Sequence, residues 1–167
     1  MRWIRHLFLD HFALTRAFPR TTLAAIERAV AEQEKRHRGE LRVVIEGGLP
    51  IMALLAGRTA RERALEQFAR LRVWDTEDNA GVLIYLLLAD RRVEIVADRG
   101  IHARVGDTAW ETICGAMQQE FAAGHFEAGT LSGLAAVSDL LAQHFPANPD
   151  ESAGENPNEL PDAPLVV

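Results

Sequence analysis

Residues 74–100 read WDTEDNAGVLIYLLLADRRVEIVADRG, and the fold follows from how this stretch divides. The loop Trp74-Asp75-Thr76-Glu77-Asp78-Asn79-Ala80-Gly81 is acidic, and the run 82–88 after it is apolar at every position. Continuous apolarity, rather than alternation, marks a central strand covered on both faces. Asp90 and Arg91 supply a polar turn, after which Val93, Ile95 and Ala97 alternate with Arg92 and Glu94, the pattern of a second strand folded back as a hairpin. The hairpin returns Asp98-Arg99-Gly100 to the end where the acidic loop enters.

Upstream, Leu41, Val43 and Ile45 alternate with Arg42 and Glu46, which predicts a strand over 40–46 with one buried face, stopped by Gly47-Gly48-Leu49-Pro50. Residues 51–56 read as a short helix or a loop packed over the sheet. Thr59 and Glu62 have capping-box spacing, and Ala64, Leu65, Phe68 and Leu71 follow at helical intervals, so a helix is expected over 59–72. That helix joins strand 40–46 to strand 82–88, and a crossover of this kind makes two strands of one sheet parallel. The starting ends of both strands then coincide with the finishing end of the hairpin's second strand.

On this topology Glu40, Asp75, Glu77, Asp78, Asn79 and Asp98 gather at one edge of the sheet. Oxygen ligands of these types suit hard divalent cations, calcium or magnesium, and calcium tolerates irregular loop geometry better. A second reading stays open: Asp75, Asp78 and Asn79 as Asx turns that shape the loop, and Asp98 and Arg99 as a local ion pair. His102 is expected as an exposed loop histidine rather than a ligand or general acid. Asp107 precedes a second capping-box spacing, Thr108 and Glu111, and is expected as a helix cap.

The rest of the chain reads as helices around this sheet. Residues 3–18 carry Trp3, Ile4, Leu7, Phe8, Phe12 and Phe18 among basic side chains, an amphipathic helix that docks on the domain or lies on a membrane surface. Pro19 breaks it, and Thr21 or Thr22 is expected to cap a helix bearing Leu23, Ile26 and Val30 on one face, ended by Gly39. Trp110, Ile113, Cys114, Met117 and Phe121 form one stripe, with Cys114 as a core residue. A last helix begins near His125 or Phe126 and buries Leu131, Leu134, Ala135, Leu141 and Phe145. Residues 147–167 are rich in Pro, Asn, Asp and Glu and are expected to be a disordered tail. The expected organisation is a helix at 1–18, an α/β domain at 19–146 and that tail.

Composition narrows the function. The chain has 167 residues and a formal charge of -6, which argues against nucleic acid as a partner. The basic cluster Lys35-Arg36-His37-Arg38 reads as complementing a helix end. One cysteine excludes an intrachain disulfide and, with no secretory signal read in the first ten residues, points to the cytoplasm. No apolar run approaches the roughly 20 residues of a membrane span. Phosphate loop, nucleophile elbow, paired-cysteine and His-rich metal motifs are all missing from the sequence.

The segments Leu71-Arg-Val-Trp-Asp-Thr-Glu-Asp-Asn-Ala-Gly-Val-Leu-Ile-Tyr, Asp90-Arg-Arg-Val-Glu-Ile-Val-Ala-Asp-Arg-Gly-Ile and Phe121-Ala-Ala-Gly-His-Phe-Glu-Ala-Gly resemble the TPM domain family over about residues 22–145. That family includes thylakoid-lumen proteins of photosystem II repair and bacterial relatives. The resemblance implies a three-layer α/β/α sandwich with a small mixed sheet. Some members are acid phosphatases and some bind divalent cations through acidic loops, which would place Asp75, Asp78 and Asp98 at the ligand cleft. Two departures stand out: many relatives carry a signal peptide and membrane anchor, neither of which is read here, and an aromatic–glycine pair where this chain has Asp98-Arg99-Gly100. The expectation is a soluble cytoplasmic module binding a divalent cation or a protein partner. A metal-assisted phosphatase and a peripheral membrane protein held by its first helix are the alternatives.

Overall fold

The computed structural model describes residues 11–148 and 158–167. Its centre is a mixed sheet in the order β3-β2-β1-β4, from β1 (Glu40–Glu46), β2 (Gly81–Leu87), β3 (Arg92–Ala97) and β4 (Leu165–Val166). β1 and β2 are parallel, with Glu40 beside Gly81, and β3 returns antiparallel with Ala97 beside Val82. The crossover and hairpin therefore bring the acidic loop and Asp98 to one end of the sheet, as the sequence pattern implied.

Period-two alternation divides the sheet between two cores. Leu41, Val43, Ile45, Val82, Ile84, Leu86, Val93 and Ile95 face one cluster. Around it pack α1 (His11–Ala17), α2 (Arg20–Glu34), α5 (Arg99–Val105), α6 (Asp107–Ala123) and α7 (Phe126–His144). Phe18, Phe121 and Phe126 meet there with ring centroids 5.3–6.4 Å apart. Val44, Leu83, Tyr85, Leu87 and Val96 face the other cluster, under α3 (Ile51–Leu55) and α4 (Ala60–Arg70). The architecture is the expected α/β/α sandwich.

The capping box of α4 is present, with the Glu62 amide donating to Thr59 Oγ1 at 3.1 Å and the Thr59 amide donating to Glu62 Oε2 at 2.8 Å. The second one is not. α6 starts at Asp107, its N-cap is Gly106, and Thr108 lies inside the helix with its carbonyl accepting from Thr112 Oγ1. The cause is α5, which the sequence read as a loop: Gly106, at φ 76°, ends α5 and begins α6 in a single residue and leaves no extended position for a threonine cap. Asp107 is thus the first residue of α6, not its cap, and His102 lies on a helix. Pro19, not Thr21 or Thr22, precedes α2; Thr22 is buried and donates to Glu127. α2 ends at Glu34, five residues before Gly39.

Two further expectations change at the ends of the chain. Leu14 and Phe18 are buried in the larger core, so the described part of the first helix docks on the domain; residues 1–10 lie outside the described residues. The last ten residues, read from composition as tail, lie along β1 instead. Val167 donates to Ile45 O at 2.9 Å, and Leu160 is 7% exposed. β1 offers an open row of backbone groups, to which Val167 and the short β4 attach, and Leu160 and Leu165 provide the apolar contacts that the surrounding polar residues concealed. Among the described residues no helix is long and apolar enough to cross a membrane.

Candidate functional site

The acidic loop is held by its own backbone. Asp75 N donates to Arg72 O at 2.9 Å, Asn79 N to Thr76 O at 3.1 Å, and the Ala80 amide to Thr76 Oγ1 at 3.2 Å. Arg72 and Asn79 have φ of 53° and 52°, left-handed positions that fold the loop into successive turns. The Asn79 carbonyl accepts from Gly100 at 3.0 Å and Ile101 at 3.3 Å, which clamps the loop against the first turn of α5. A Cβ on Gly100 would lie 2.6 Å from Asn79 O and 2.7 Å from Asp78 O, so only glycine permits that approach.

Asp98 caps α5. Its amide donates to Gly81 O at 2.8 Å, and its Oδ1 accepts from the Arg99 amide at 2.7 Å. Its Oδ2 is buried and has no hydrogen-bond partner among the described residues. A buried carboxylate oxygen without a donor carries a desolvation cost, ordinarily relieved by a donor or a cation.

The other expected residues divide into two groups. Asp78 Oδ2 lies 2.8 Å from Arg38 Nη1, and Asn79 Oδ1 accepts from Arg99 Nε at 3.1 Å. Asp75 and Glu77 are exposed on the loop, and the Glu77 amide donates to Glu159 Oε1 at 3.1 Å. Glu40 is buried and faces the C-terminal segment, where its Oε2 accepts from the Leu160 amide at 3.1 Å. Among the described residues, no three His, Cys, Asp or Glu side chains are grouped closely enough to hold a metal ion. The loop, Asp78, Asn79 and Asp98 are brought together by backbone contacts; Glu40 belongs to a separate acidic cluster.

Sequence pattern passed over that cluster. Glu34 Oε1 accepts from Leu41 N at 2.8 Å and shares a hydrogen bond with Asp162, while Arg42 donates to Pro161 O at 2.7 Å and to Ala163 O. Burial, then the Glu40 carboxylate, pushes Glu34 up to about 8; burial, against amide donors from Leu160 and Glu159, pushes Glu40 up to about 7. The only hint in the sequence is the apolar Leu165-Val166-Val167 ending, because acidic residues in a polar tail look solvated. Arg38 was also missed, since the basic cluster resolves into ion pairs: Lys35 with Glu32, Arg36 with Asp139 and Arg38 with Asp78.

A pH effect follows from these shifts. With the C-terminal segment docked, Glu34 and Glu40 hold protons that they would release near the ordinary value of 4.5 once solvated. The docked state therefore binds more protons between that value and about 8, and docking weakens as pH rises through this window. Amide protection factors of Leu160 and Val167 are expected to fall from pH 5 to pH 9 relative to those of β2, and Glu34→Gln should flatten the trend. A flat trend in the unaltered chain would refute the assignment.

Among the described residues, Ser138 Oγ and His37 Nε2 lie 2.9 Å apart, but both residues are fully buried and burial pushes His37 down to about 4. Cys114 is pushed up to about 11, chiefly by burial and then by Glu94, and Ser132 Oγ donates to Gly129 O within α7. His102 Nε2 lies 3.7 Å from Asp107 Oδ1, beside β3 rather than the acidic loop.

The family model described as the TPM domain matches residues 13–140. Among solved structures, the BA42 protein of the psychrophilic bacterium Bizionia argentinensis is similar at 30% identity, covering 88% of this chain and 93% of that one, with a TM-score of 0.74. The N-terminal domain of a protein from P. gingivalis shares the fold at 20% identity and a TM-score of 0.60, covering 77% of this chain and 81% of that domain. No curated protein matches the chain. The matched span takes in the helices, the parallel crossover, the hairpin and the acidic loop, and the chain belongs to the TPM domain family.

Proposed function

We propose that the chain is a cytoplasmic TPM module that binds calcium or magnesium where loop 74–81 meets Asp98. The observation that carries this reading is Asp98 Oδ2, a buried carboxylate oxygen with no partner among the described residues, clamped beside a loop bearing Asp75 and Asp78. Asp98 would supply the buried oxygen of the site, and Asp75 and Asp78, which are not grouped around it in this structure, would close in from the loop when an ion binds, with Glu77 and Asn79 at the rim; Glu40 serves the C-terminal segment instead. The donors match a hard cation in type, since all offer oxygen. Arg38 competes for Asp78 and is partly exposed, so it can swing away when a cation takes its place.

Calorimetric titration with calcium and with magnesium tests this. Asp98→Asn is expected to weaken binding about tenfold or more. Arg38→Ala is expected to tighten it by roughly fivefold, equivalent to the about 1 kcal/mol upper range of an exposed ion pair. Equal affinity in all three proteins, or no heat from the unaltered chain, removes the reading.

A second reading, a metal-assisted phosphatase, is favoured by the family resemblance. A bound cation supplies polarisation of a phosphoryl oxygen and activation of water. Arg38 and Arg99, now paired with Asp78 and Asn79, are the cationic side chains able to orient a phosphate there. The Asp75→Asn, Asp98→Asn double variant should lose turnover of a generic phosphomonoester; retained turnover rejects this reading.

A further inference from the structure

β3 is an edge strand whose outer side lies at the foot of a groove. The hydrogen bond from Asp98 N to Gly81 O fixes the alternation of the hairpin, so residues 92, 94, 96 and 98 bond to β2. The amides and carbonyls of Val93, Ile95 and Ala97 therefore face outward. Side chains stand in for a neighbouring strand at two of these positions. Gln118 Oε1 accepts from the Val93 amide at 3.3 Å, Arg61 Nη1 donates to Ile95 O at 2.5 Å, and the Cys114 sulfur accepts from the Ile95 amide. The outward groups of Ala97 have no hydrogen bond among the described residues.

The groove along this edge has a volume of about 710 Å³ and runs between α4 and α6, which lie on opposite faces of the sheet. The two walls differ in chemistry. On the α4 side are Phe68 and Leu65, the latter 46% exposed, while Arg61 and Arg92 are both engaged with Glu94. On the α6 side are Asp107 and Glu111, both exposed, and Glu111 is in no ion pair among the described residues. Trp110 of the same wall is 5% exposed, and its indole N–H has no partner among the described residues. A buried donor left unpaired in a groove wall is a group that a ligand carbonyl can satisfy after a small adjustment.

We propose that this groove receives an extended segment of a partner protein as a fifth strand paired with β3. Side chains of such a strand alternate between the two faces. Those directed to α4 meet Leu65 and Phe68 and are apolar; those directed to α6 meet Asp107 and Glu111 and are lysine or arginine. Backbone pairing supplies the attachment once Gln118, Arg61 and Cys114 release Val93 and Ile95, and the alternating apolar and basic side chains supply the selectivity. The proposal stands apart from the cation reading, because it uses neither the acidic loop nor Asp98.

The probe is an end-blocked hexapeptide of alternating valine and lysine, titrated into the ¹⁵N-labelled full chain beside its valine–glutamate counterpart. The lysine peptide is expected to shift the amides of Val93, Ile95 and Ala97 and the Trp110 indole N–H, saturably, and to bind about tenfold more tightly than the glutamate peptide. Asp107→Asn with Glu111→Gln should weaken it about tenfold while the β1 and β2 resonances stay in place. Unmoved β3 amides at millimolar lysine peptide overturn the proposal, as does an equal response to both peptides. Shifts at β3 that appear on concentrating the protein alone would assign the edge to a second copy of this chain and overturn it too.

Discussion

Glu46→Ala is expected to lower the unfolding free energy by about 3–5 kcal/mol, the loss seen when one partner of a buried ion pair is removed. Glu46 is 3% exposed at the end of β1, and Arg63 grips it in bidentate fashion through Nε at 2.9 Å and Nη2 at 3.0 Å. The fully buried Tyr85 adds its hydroxyl to Glu46 Oε2 at 2.5 Å. Alanine removes the acceptor of both groups, so a half-buried guanidinium and a buried phenol lose their partner together. Glu46→Gln retains one oxygen and is expected to cost about 1–3 kcal/mol. Chemical denaturation of the three proteins measures the differences. A change below about 1 kcal/mol for alanine would mean that solvent reaches Arg63 and Tyr85 more freely than their burial implies.

The second large effect belongs to Gly81→Ala. A Cβ there would lie 1.9 Å from Val73 O and 3.0 Å from Val73 C, backbone atoms that cannot rotate away. Gly81 also accepts from Asp98 and pairs with Glu40, so β2 cannot shift without disturbing both neighbours. The expected loss is about 3 kcal/mol, the upper part of the range for overpacking. The amides of the acidic loop and of Asp98 should move with it, whereas Glu46→Ala, at the far end of β1, should leave them in place. Normal stability with unchanged loop amides would contradict the close approach of β2 and Val73.

Val82 to Leu88 announced a central strand because no position is polar, and Asp90-Arg91 marked the turn, which Arg91 makes at φ 49°. Arg42 and Glu46 misled: alternating with apolar residues, they promised a solvated face for β1. The structure buries both, at 7% and 3% exposure, because each charge meets a partner distant in sequence, the carbonyls of Pro161 and Ala163 for Arg42 and Arg63 for Glu46. Local pattern does not register such partners. Thr108 and Glu111 misled for a different reason: capping-box spacing marks a helix start only where the threonine itself is extended, and Thr108 lies inside α6.

For the candidate site, topology was legible and side-chain pairing was not. The crossover and hairpin brought Asp78, Asn79 and Asp98 to one rim, but Arg38 and Arg99 claim two of them, and Glu40 turns to the C-terminal segment. What singles out Asp98 is burial of an oxygen without a donor, a property of three-dimensional packing. The most direct test of the cation reading follows the backbone amides of the ¹⁵N-labelled chain during titration with calcium and with magnesium. Saturable shifts confined to residues 74–81 and 98–102, lost in Asp98→Asn, are the predicted result. Amides that stay fixed at millimolar cation, or shifts centred instead on Glu40 and Leu160, would contradict it.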